Sequence, residues 1–355
     1  MMKVLIAMSG GVDSSVAAKL LCDEGCECIG CTMKLYDNCD AGLPRGRTCC
    51  SLDDVEDARS VAFSLGMRYY VFNFKDDFRE KVIKKFASGY LRGQTPNPCI
   101  DCNRYMKFDK LFERAKLLGC DKIATGHYAR IEFDGRKYRL KKALDKSKDQ
   151  SYVLYMLTQE QLAHTLFPLG SLHKTDTRAI ADAADLSSAR KPDSQDICFV
   201  PDGDYAAAIE RLTGEKAPCG DFIDASGKIL GTHRGITHYT VGQHRGLGLS
   251  LPERRYVCGI DAESGTVTLG GSDELYSSTA EVRDFNWISG EAPSEPIRCT
   301  AKIRYRQPEQ PATAIARSDG SVTLHFDAPQ RAVTPGQAAV LYDSNTVLGG
   351  GEIVK

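Results

Sequence analysis

A glycine-rich loop near the start of the chain offers the first recognisable chemistry. The string SGGVDSS at residues 9–15 follows an apolar run from Val4 to Met8 and leads into a helical pattern. A buried strand, a glycine turn and a helix start direct backbone N–H groups and a helix dipole at an anion. The loop has no lysine and no four-residue spacer between its glycines, unlike loops that grip phosphates for hydrolysis. It therefore predicts a phosphate site that releases pyrophosphate.

Two cysteine motifs stand apart from the other cysteines of the chain. Cys99-Ile100-Asp101-Cys102 lies within TPNPCIDCN, and Cys198 lies within SQDICF. A thiolate is a nucleophile that can displace an oxygen once that oxygen has been activated. We therefore expect a locally electropositive site, with helix N-termini and Lys or Arg side chains near both thiols.

The elements that must position these motifs alternate between strand and helix. Apolar patterns predict strands near residues 4–8, 26–33, 68–74 and 121–128, separated by amphipathic helices. The fold class predicted is α/β with a doubly wound parallel sheet, which binds ligands at the carboxyl ends of its strands. We expect residues 95–108 to form a loop that enters a helix, and helical stretches at about 151–166 and 175–187.

The alternation stops beyond about residue 205. Short strands punctuated by glycine then follow, which predicts a small β-rich module and a C-terminal β-barrel. The predicted domains are residues 1–205, which carry the phosphate loop and both cysteine motifs, then 206–275 and 276–355.

Bulk composition limits the class of protein. The 355 residues include 42% hydrophobic and 26% charged residues, as expected for a soluble globular protein of two or three domains. The formal net charge is −1, so any nucleic-acid surface must be local, and basic residues do cluster at 104–116 and 130–148. No apolar run is long enough to span a bilayer. Fourteen cysteines without a secretory start predict a cytoplasmic protein.

Further strings occur in one order along the chain: ATGHY at 124–128, KDQS at 148–151, GQHRGLG at 242–248, KIRYRQ at 302–307 and PGQ at 335–337. With the loop and the cysteine motifs, they give a sequence that resembles the tRNA-specific 2-thiouridylase family over its whole length. The loop itself resembles the PP-loop of ATP pyrophosphatases. The resemblance implies a sulfurtransferase that makes 2-thiouridine at the wobble position, 34, of tRNA. It implies ATP with Mg²⁺ as cofactors, and the tRNA anticodon stem-loop and a sulfur donor protein or sulfide as partners.

The resemblance also implies roles for individual residues. Cys198 would carry a persulfide whose outer sulfur enters the base, and Cys102 would release the product and leave a disulfide. Asp13 is the implied magnesium contact. The implied ATP-binding residues are Ala7, Met8, Ser9, Gly10, Gly11, Val12, Asp13, Ser14, Ser15, Met33 and Gly126. The implied tRNA-binding residues are Asn97, Pro98 and Cys99 at the target base, and His127, Lys148, Asp149, Gln150, Arg304, Tyr305 and Gln337.

Alternatives stay open at this point. Many family members carry aspartate where this chain has Cys99, so Cys99, Cys102 and Cys198 could instead hold an iron–sulfur cluster that binds hydrosulfide. Under the persulfide route Cys99 is a bystander or a spare thiol. Met33 could be a core residue, and a zinc site at Cys39, Cys49 and Cys50 is a weak alternative. Competing functions are an RNA-binding module with a vestigial loop and a PP-loop amidotransferase or ligase.

Overall fold

A five-stranded parallel sheet forms the centre of the N-terminal half of the computed structural model, which describes residues 1–36, 52–191, 197–200 and 202–355. Its strands are β1 (Lys3–Ala7), β2 (Glu27–Lys34), β3 (Arg68–Asn73), β4 (Lys122–Ala124) and β7 (Thr165–Leu166), in the order β3-β2-β1-β4-β7. Leu5 and Ile6 alternate between two different buried clusters. Both faces of the sheet are therefore covered, which explains why its strands are almost wholly apolar.

Helices pack on both faces of this sheet. α1 (Val12–Asp23), α2 (Leu52–Ser64) and α8 (Lys174–Ala183) share one buried cluster with it, and α6 (Leu111–Leu117) packs in the cluster on the other face. The remaining helical segments are α3 (Lys75–Phe78), a π-helical turn (Arg79–Ile83), α4 (Lys84–Leu91), α5 (Pro98–Asp101), a π-helical segment (Cys102–Lys110), α7 (Gln159–Ala163) and α9 (Tyr205–Thr213). The predicted doubly wound parallel sheet is confirmed.

Two local predictions are wrong. Residues 95–108 are not a loop, because the helix already begins at Pro98, with Asn97 as its N-cap and proline in its first turn. Residues 151–166 are not one helix but a 3₁₀ turn (Ser151–Leu154), α7 and β7. A capping box at Thr158 starts α7 as a new helix, so the apolar pattern continues although the helix is interrupted.

A small mixed sheet forms the middle of the chain. Its strands are β8 (Gly220–Ile223), β9 (Ile229–His233), β10 (Tyr256–Asp261) and β11 (Thr266–Gly270), in the order β10-β11-β8-β9. Phe222, Val257 and Val267 are fully buried in its core. The predicted β-rich module is confirmed.

A closed six-stranded barrel forms the C-terminal part. Its strands are β12 (Tyr276–Trp287), β13 (Ile297–Lys302), β14 (Gln310–Ala316), β15 (Val322–Arg331), β16 (Ala338–Asp343) and β17 (Thr346–Ile353), and β12 pairs with β17 to close it. The barrel predicted from the sequence is confirmed. A hairpin of β5 (Ala129–Phe133) and β6 (Tyr138–Lys142) extends the barrel sheet through a pairing of Thr346 with Lys141. The N-terminal part and the barrel therefore share one sheet.

The segment before the first cysteine motif joins all three parts of the chain. The backbone N–H of Thr95 donates to Pro335 O at 2.8 Å, and Gln337 Nε2 donates to Thr95 O at 2.6 Å. The Thr95 hydroxyl also lies 3.3 Å from that of Thr240 in the middle part. The position of α5 is therefore set by the barrel and by the middle module as well as by its own domain.

Cys39, Cys49 and Cys50, the weak zinc candidates, lie outside the described residues. Within the described ranges, every helix is too short or too polar to cross a lipid bilayer.

We expect Gly336→Ala to destabilise the protein more than Gly320→Ala. Both glycines have a positive φ, +88° and +83°, so each alanine adds backbone strain of about 1–2 kcal/mol. A Cβ at Gly336 would also lie 2.8 Å from Thr95 N, whereas nothing lies within 4 Å of one at Gly320. The extra cost should be roughly 1–3 kcal/mol in the free energy of unfolding. Urea denaturation measures both, and equal losses would contradict the close approach.

Candidate active site

The glycine loop lies at the carboxyl end of β1, where the strand order reverses direction. The chain runs from β1 outward to β2 and β3, then returns to β4 on the other side of β1. Gly10 adopts φ +74°, and Gly11 is the N-cap of α1 and contributes no side-chain hydrogen bond to it. The first turn of α1 thus presents backbone N–H groups at the switch point of the sheet, the usual place for a bound phosphate.

Two serine hydroxyls of the loop form hydrogen bonds within it, and a third serine is exposed. Ser14 Oγ accepts from Ser9 N at 3.2 Å and donates to Gly11 O at 3.1 Å. The buried Ser15 hydroxyl donates to the same carbonyl at 3.0 Å. Ser9 itself is exposed. The hydroxyls of Ser14 and Ser15 therefore hold the loop in shape, while Ser9 faces solvent where a phosphate would lie.

The other implied ATP-binding residues differ in which of their groups are accessible to a nucleotide. Met8 and Val12 are buried, so they offer only backbone groups, and Ala7 is half-buried. Met33 is half-buried at the end of β2 and packs against two of the buried clusters. A Cβ on Gly126 would lie 2.8 Å from both Asp13 C and Ser14 N. Only glycine therefore lets the turn after β4 contact the first turn of α1.

Asp13 is held by two side chains. Lys174 Nζ donates to both of its carboxylate oxygens, at 2.7 and 2.9 Å, and the Tyr128 hydroxyl donates to Oδ1 at 2.9 Å. Sequence reasoning missed Lys174, because it lies 161 residues away in a segment with no motif. The carboxylate thus already has a cationic partner before any Mg²⁺ is considered.

The first cysteine motif opens a helix. Asn97 Oδ1 accepts from Cys99 N at 3.1 Å, and Pro98 is buried at the first helical position. Cys99 is exposed and Cys102 is half-buried. Burial raises the pKa of Tyr305 in the barrel part, and the nearby Asp149 and Cys99 add to this shift. Cys102 packs against an aromatic cluster.

Cys198 packs against the same aromatic cluster as Cys102. The cluster contains Phe78, Phe86 and Phe199, and the Phe199 ring lies edge-on to both other rings. The hydroxyl of Tyr36 donates to Cys198 O at 2.8 Å. Cys102 and Cys198 therefore border one hydrophobic cluster, although they are far apart in the chain.

A lysine links the cysteine helix to the turn after β4. Lys107 Nζ lies 3.3 Å from His127 Nε2, and Thr125 Oγ1 lies 2.7 Å from His127 Nδ1. His127 is buried, and burial followed by the charge of Lys107 holds its pKa well below the usual 6.5. The imidazole is therefore neutral and orients Lys107, five residues after Cys102. The resemblance implies that His127 contacts tRNA, but in this structure its side chain is buried.

Asp101 lies between Cys99 and Cys102 in the sequence, and its side chain is buried. It accepts from Lys85 Nζ at 2.9 Å, and burial raises its pKa although Lys85 opposes the shift. Lys85 also lies 3.9 Å from Glu352 on β17, whose pKa burial raises too. This charge cluster ties the cysteine helix to the barrel. Sequence reasoning named Asp101 only as part of the motif and did not find its partners.

The implied tRNA residues line the junction between the catalytic part and the barrel. Gln150 Oε1 accepts from Tyr128 N at 3.0 Å, and the half-exposed Lys148 precedes it by two residues. Tyr305 is 38% exposed, and its hydroxyl lies 3.4 Å from Asp149 O. The structure brings these residues to one region, next to the cysteine helix.

Two of the implied tRNA residues make firm contacts within the protein. Arg304 donates to Val241 O at 3.0 Å and to Thr334 Oγ1 at 2.6 Å, so it connects the middle module to the barrel. Gln337 uses its side-chain amide to hold Thr95. Both therefore hold neighbouring parts of the protein together.

No three His, Cys, Asp or Glu side chains converge as metal ligands anywhere in the part of the chain that the structure describes. That part includes Cys99, Cys102 and Cys198. These three cysteines do not form such a group among the described residues.

We expect the buried neutral imidazole of His127 to make the protein less stable at acid pH. The unfolded chain takes up a proton near pH 6.5, whereas the folded imidazole, with its lowered pKa, does not. Stability is therefore lost as the pH falls below about 6.5. Between pH 7.5 and 5.5 the wild type should lose about 1.4 kcal/mol more than His127→Gln. Urea denaturation across this range measures both, and parallel curves would contradict a neutral buried His127.

Three family models cover nearly the whole chain. The tRNA methyl transferase HUP domain matches residues 2–202, the tRNA methyl transferase PRC-barrel domain matches residues 208–271, and the aminomethyltransferase beta-barrel domain matches residues 277–353. The matched ranges follow the parallel sheet, the small mixed sheet and the closed barrel in order.

Curated relatives match over their full length. The tRNA-specific 2-thiouridylase MnmA of Acetivibrio thermocellus is 52% identical, with 99% of each chain covered. MnmA 2 of Caldanaerobacter subterraneus subsp. tengcongensis is 50% identical over 99% of this chain and 97% of its own. MnmA of Clostridioides difficile is 47% identical over 99% of this chain and 98% of its own. With this identity over all three domains, the chain belongs to the tRNA-specific 2-thiouridylase family.

Proposed function

We propose that this chain is a tRNA-uridine 2-sulfurtransferase that uses ATP to make 2-thiouridine at the wobble position, 34, of tRNA. The observation that carries the proposal is the packing of Cys102 and Cys198 against one cluster, which Met33 at the end of β2 also contacts, in a chain with a lysine-free phosphate loop. The relatives named above are thiouridylases, although two family models carry a methyl transferase description. A methyl transfer would need neither paired cysteines nor a pyrophosphate-releasing loop, so the site favours sulfur transfer.

The first step activates a poor leaving group. The C2 oxygen of uracil attacks the α-phosphorus of ATP at the loop of residues 9–15, and pyrophosphate departs with the bonding electron pair. Ser9 and the N–H groups of the first turn of α1 bind the phosphates, and Met33 and Gly126 border the adenine. Mg²⁺ would enter with ATP. Asp13 is its proposed contact, although this carboxylate already holds Lys174.

The second step transfers sulfur. The outer sulfur of a persulfide on Cys198 attacks C2, and AMP leaves with the original oxygen. The Cys102 thiolate then attacks Cys198 Sγ, so that a disulfide forms and the thiocarbonyl of the product is released. Sulfide that attacks Cys198 Sγ of this disulfide regenerates the persulfide and releases the Cys102 thiolate, whereas a donor protein that delivers persulfide sulfur requires the disulfide to be reduced first by a thiol reductant. Lys107, held by His127 one helical turn beyond Cys102, contributes positive charge that favours the thiolate.

The persulfide route is preferred to the iron–sulfur route. Cys99, Cys102 and Cys198 do not form a group of metal ligands among the described residues, which favours the persulfide route. Anaerobically purified protein without visible absorption but with full activity would agree with this preference. Absorption that disappears in Cys99→Ala would overturn it.

The proposed partners are the anticodon stem-loop and a sulfur donor protein or sulfide, in the cytoplasm. Asn97, Pro98 and Cys99 lie at the start of the cysteine helix, where an unstacked base would have to enter. Lys148, Asp149, Gln150 and Tyr305 lie beside it and would contact the loop of the tRNA. We assign catalysis to residues 1–205 and support of the tRNA surface to 206–275 and 276–355.

One assay separates this proposal from its competitors. Unmodified tRNA, ATP, Mg²⁺ and sulfide are incubated with protein whose Cys102–Cys198 disulfide has been formed by prior oxidation, and nucleosides and AMP are quantified by mass spectrometry. Equal amounts of 2-thiouridine and AMP are expected. AMP without thiolated RNA would favour a ligase, and tRNA binding without AMP would favour an RNA-binding module.

We expect Cys102→Ser and Cys198→Ser each to lower thiolation by at least about 100-fold, because each removes an obligatory nucleophile. ATP binding should stay within about twofold of the wild type, since neither thiol lies in the phosphate loop. Cys219→Ser is the matched control, because Cys219 is exposed in the middle module. Normal turnover by either active-site variant would refute the two-cysteine mechanism.

A further inference from the structure

A lysine from a distant helix lies at the phosphate loop, which has no lysine or arginine of its own. Lys174 Nζ contacts both carboxylate oxygens of Asp13, and its side chain is only 11% exposed. We propose that Lys174 binds the β- and γ-phosphates of ATP and stabilises the departing pyrophosphate. The inference rests on the proposed ATP chemistry of the loop and adds to it a residue that no motif contains.

The fold fixes Lys174 at this position from two directions. Lys174 is the first residue of α8, and its backbone N–H donates to Asp145 Oδ2 at 3.0 Å. Ala181 on α8 is fully buried in the same cluster as Val16 on α1. Because the start of α8 is anchored next to the start of α1, little side-chain entropy remains to be lost when the ammonium meets a ligand.

Asp13 acts as the resting partner of this lysine. A carboxylate in the first turn of a helix is favoured by the helix dipole but repels a phosphate bound at the same place. The ion pair with Lys174 cancels that repulsion and holds the cation where phosphate charge will arrive. A lysine ammonium is a compact point charge that suits phosphate oxygens. The triphosphate carries more negative charge than Asp13, so it attracts the ammonium more strongly.

Tyr128 keeps Asp13 hydrogen-bonded when Lys174 moves from Asp13 to the phosphates. Its hydroxyl donates to Asp13 Oδ1 at 2.9 Å and lies 2.9 Å from Thr177 Oγ1, one turn after Lys174. Asp13 therefore keeps a hydrogen bond when the ammonium turns to the phosphates, and it is itself about one-third exposed. Neither charge has to be buried alone during the exchange.

The chemistry of the first step gives Lys174 a reason to act on the leaving group. As the bond from the α-phosphorus to the bridging oxygen breaks, the electron pair passes to pyrophosphate and its negative charge increases. A fixed ammonium at those oxygens stabilises this charge more in the transition state than in bound ATP. Lys174 should therefore affect the rate of AMP formation as well as ATP affinity.

The test is a series of binding measurements by calorimetry, without tRNA or a sulfur source, with ATP, pyrophosphate and AMP. Lys174→Ala should weaken binding of ATP and pyrophosphate by about 10- to 100-fold, the size of a charged hydrogen bond, and leave AMP within about twofold. Lys174→Arg should recover part of the loss. Lys19→Ala is the control, because Lys19 lies on α1 but pairs with the exposed Asp23. Equal weakening for all three ligands, or none, would overturn the inference.

A second measurement on the wild type avoids any doubt over folding of the variants. Acetylation of Lys174 by acetic anhydride, followed by peptide mass spectrometry, should be slowed at least about fivefold by saturating pyrophosphate and not by AMP. Protection by AMP alone would overturn the inference. Both measurements proceed whether or not the protein thiolates tRNA, so failure here is distinct from failure of the proposed function.

Discussion

The close approach of two turns at the carboxyl ends of β1 and β4 is the constraint on which the site depends. The Gly126 turn lies so near the first turn of α1 that a Cβ would meet backbone atoms of Asp13 and Ser14 at 2.8 Å. The same turn carries His127, which orients Lys107 on the cysteine helix. Through these contacts the phosphate loop is linked to the helix that carries Cys102. The proposed adenylation and sulfur transfer on one uracil ring would require such a link, because an adenylate must be attacked before water reaches it.

The barrel also helps to position the cysteine helix. β6 of the N-terminal part pairs with β17, and the buried Tyr152 hydroxyl donates to Ala338 O on β16 at 2.8 Å. Gln337 holds Thr95, two residues before the cap of the cysteine helix. The barrel and the catalytic part thus share one core. An RNA bound across their junction would contact a surface whose geometry is already fixed, so less ordering accompanies binding.

Much of the fold and part of the site could be predicted from the sequence. Strands buried on both faces are continuous apolar runs, and the glycine loop follows one of them, so the parallel sheet and the position of the loop follow directly. The start of the cysteine helix was misjudged because Asn97 and Pro98 resemble turn residues as much as a cap. Lys174 and Lys85 could not be predicted, since their partners are brought to them only by packing between distant elements. The burial of His127 is likewise a tertiary property.

The fate of the uracil oxygen tests the central claim most directly. A tRNA carrying ¹⁸O at C2 of the wobble uridine is thiolated in a single turnover, and the phosphate of the AMP formed is analysed by mass spectrometry. If the loop of residues 9–15 delivers the α-phosphate to that oxygen and a thiol displaces it, one ¹⁸O atom appears in each AMP. Thiolated tRNA accompanied by unlabelled AMP would contradict the account.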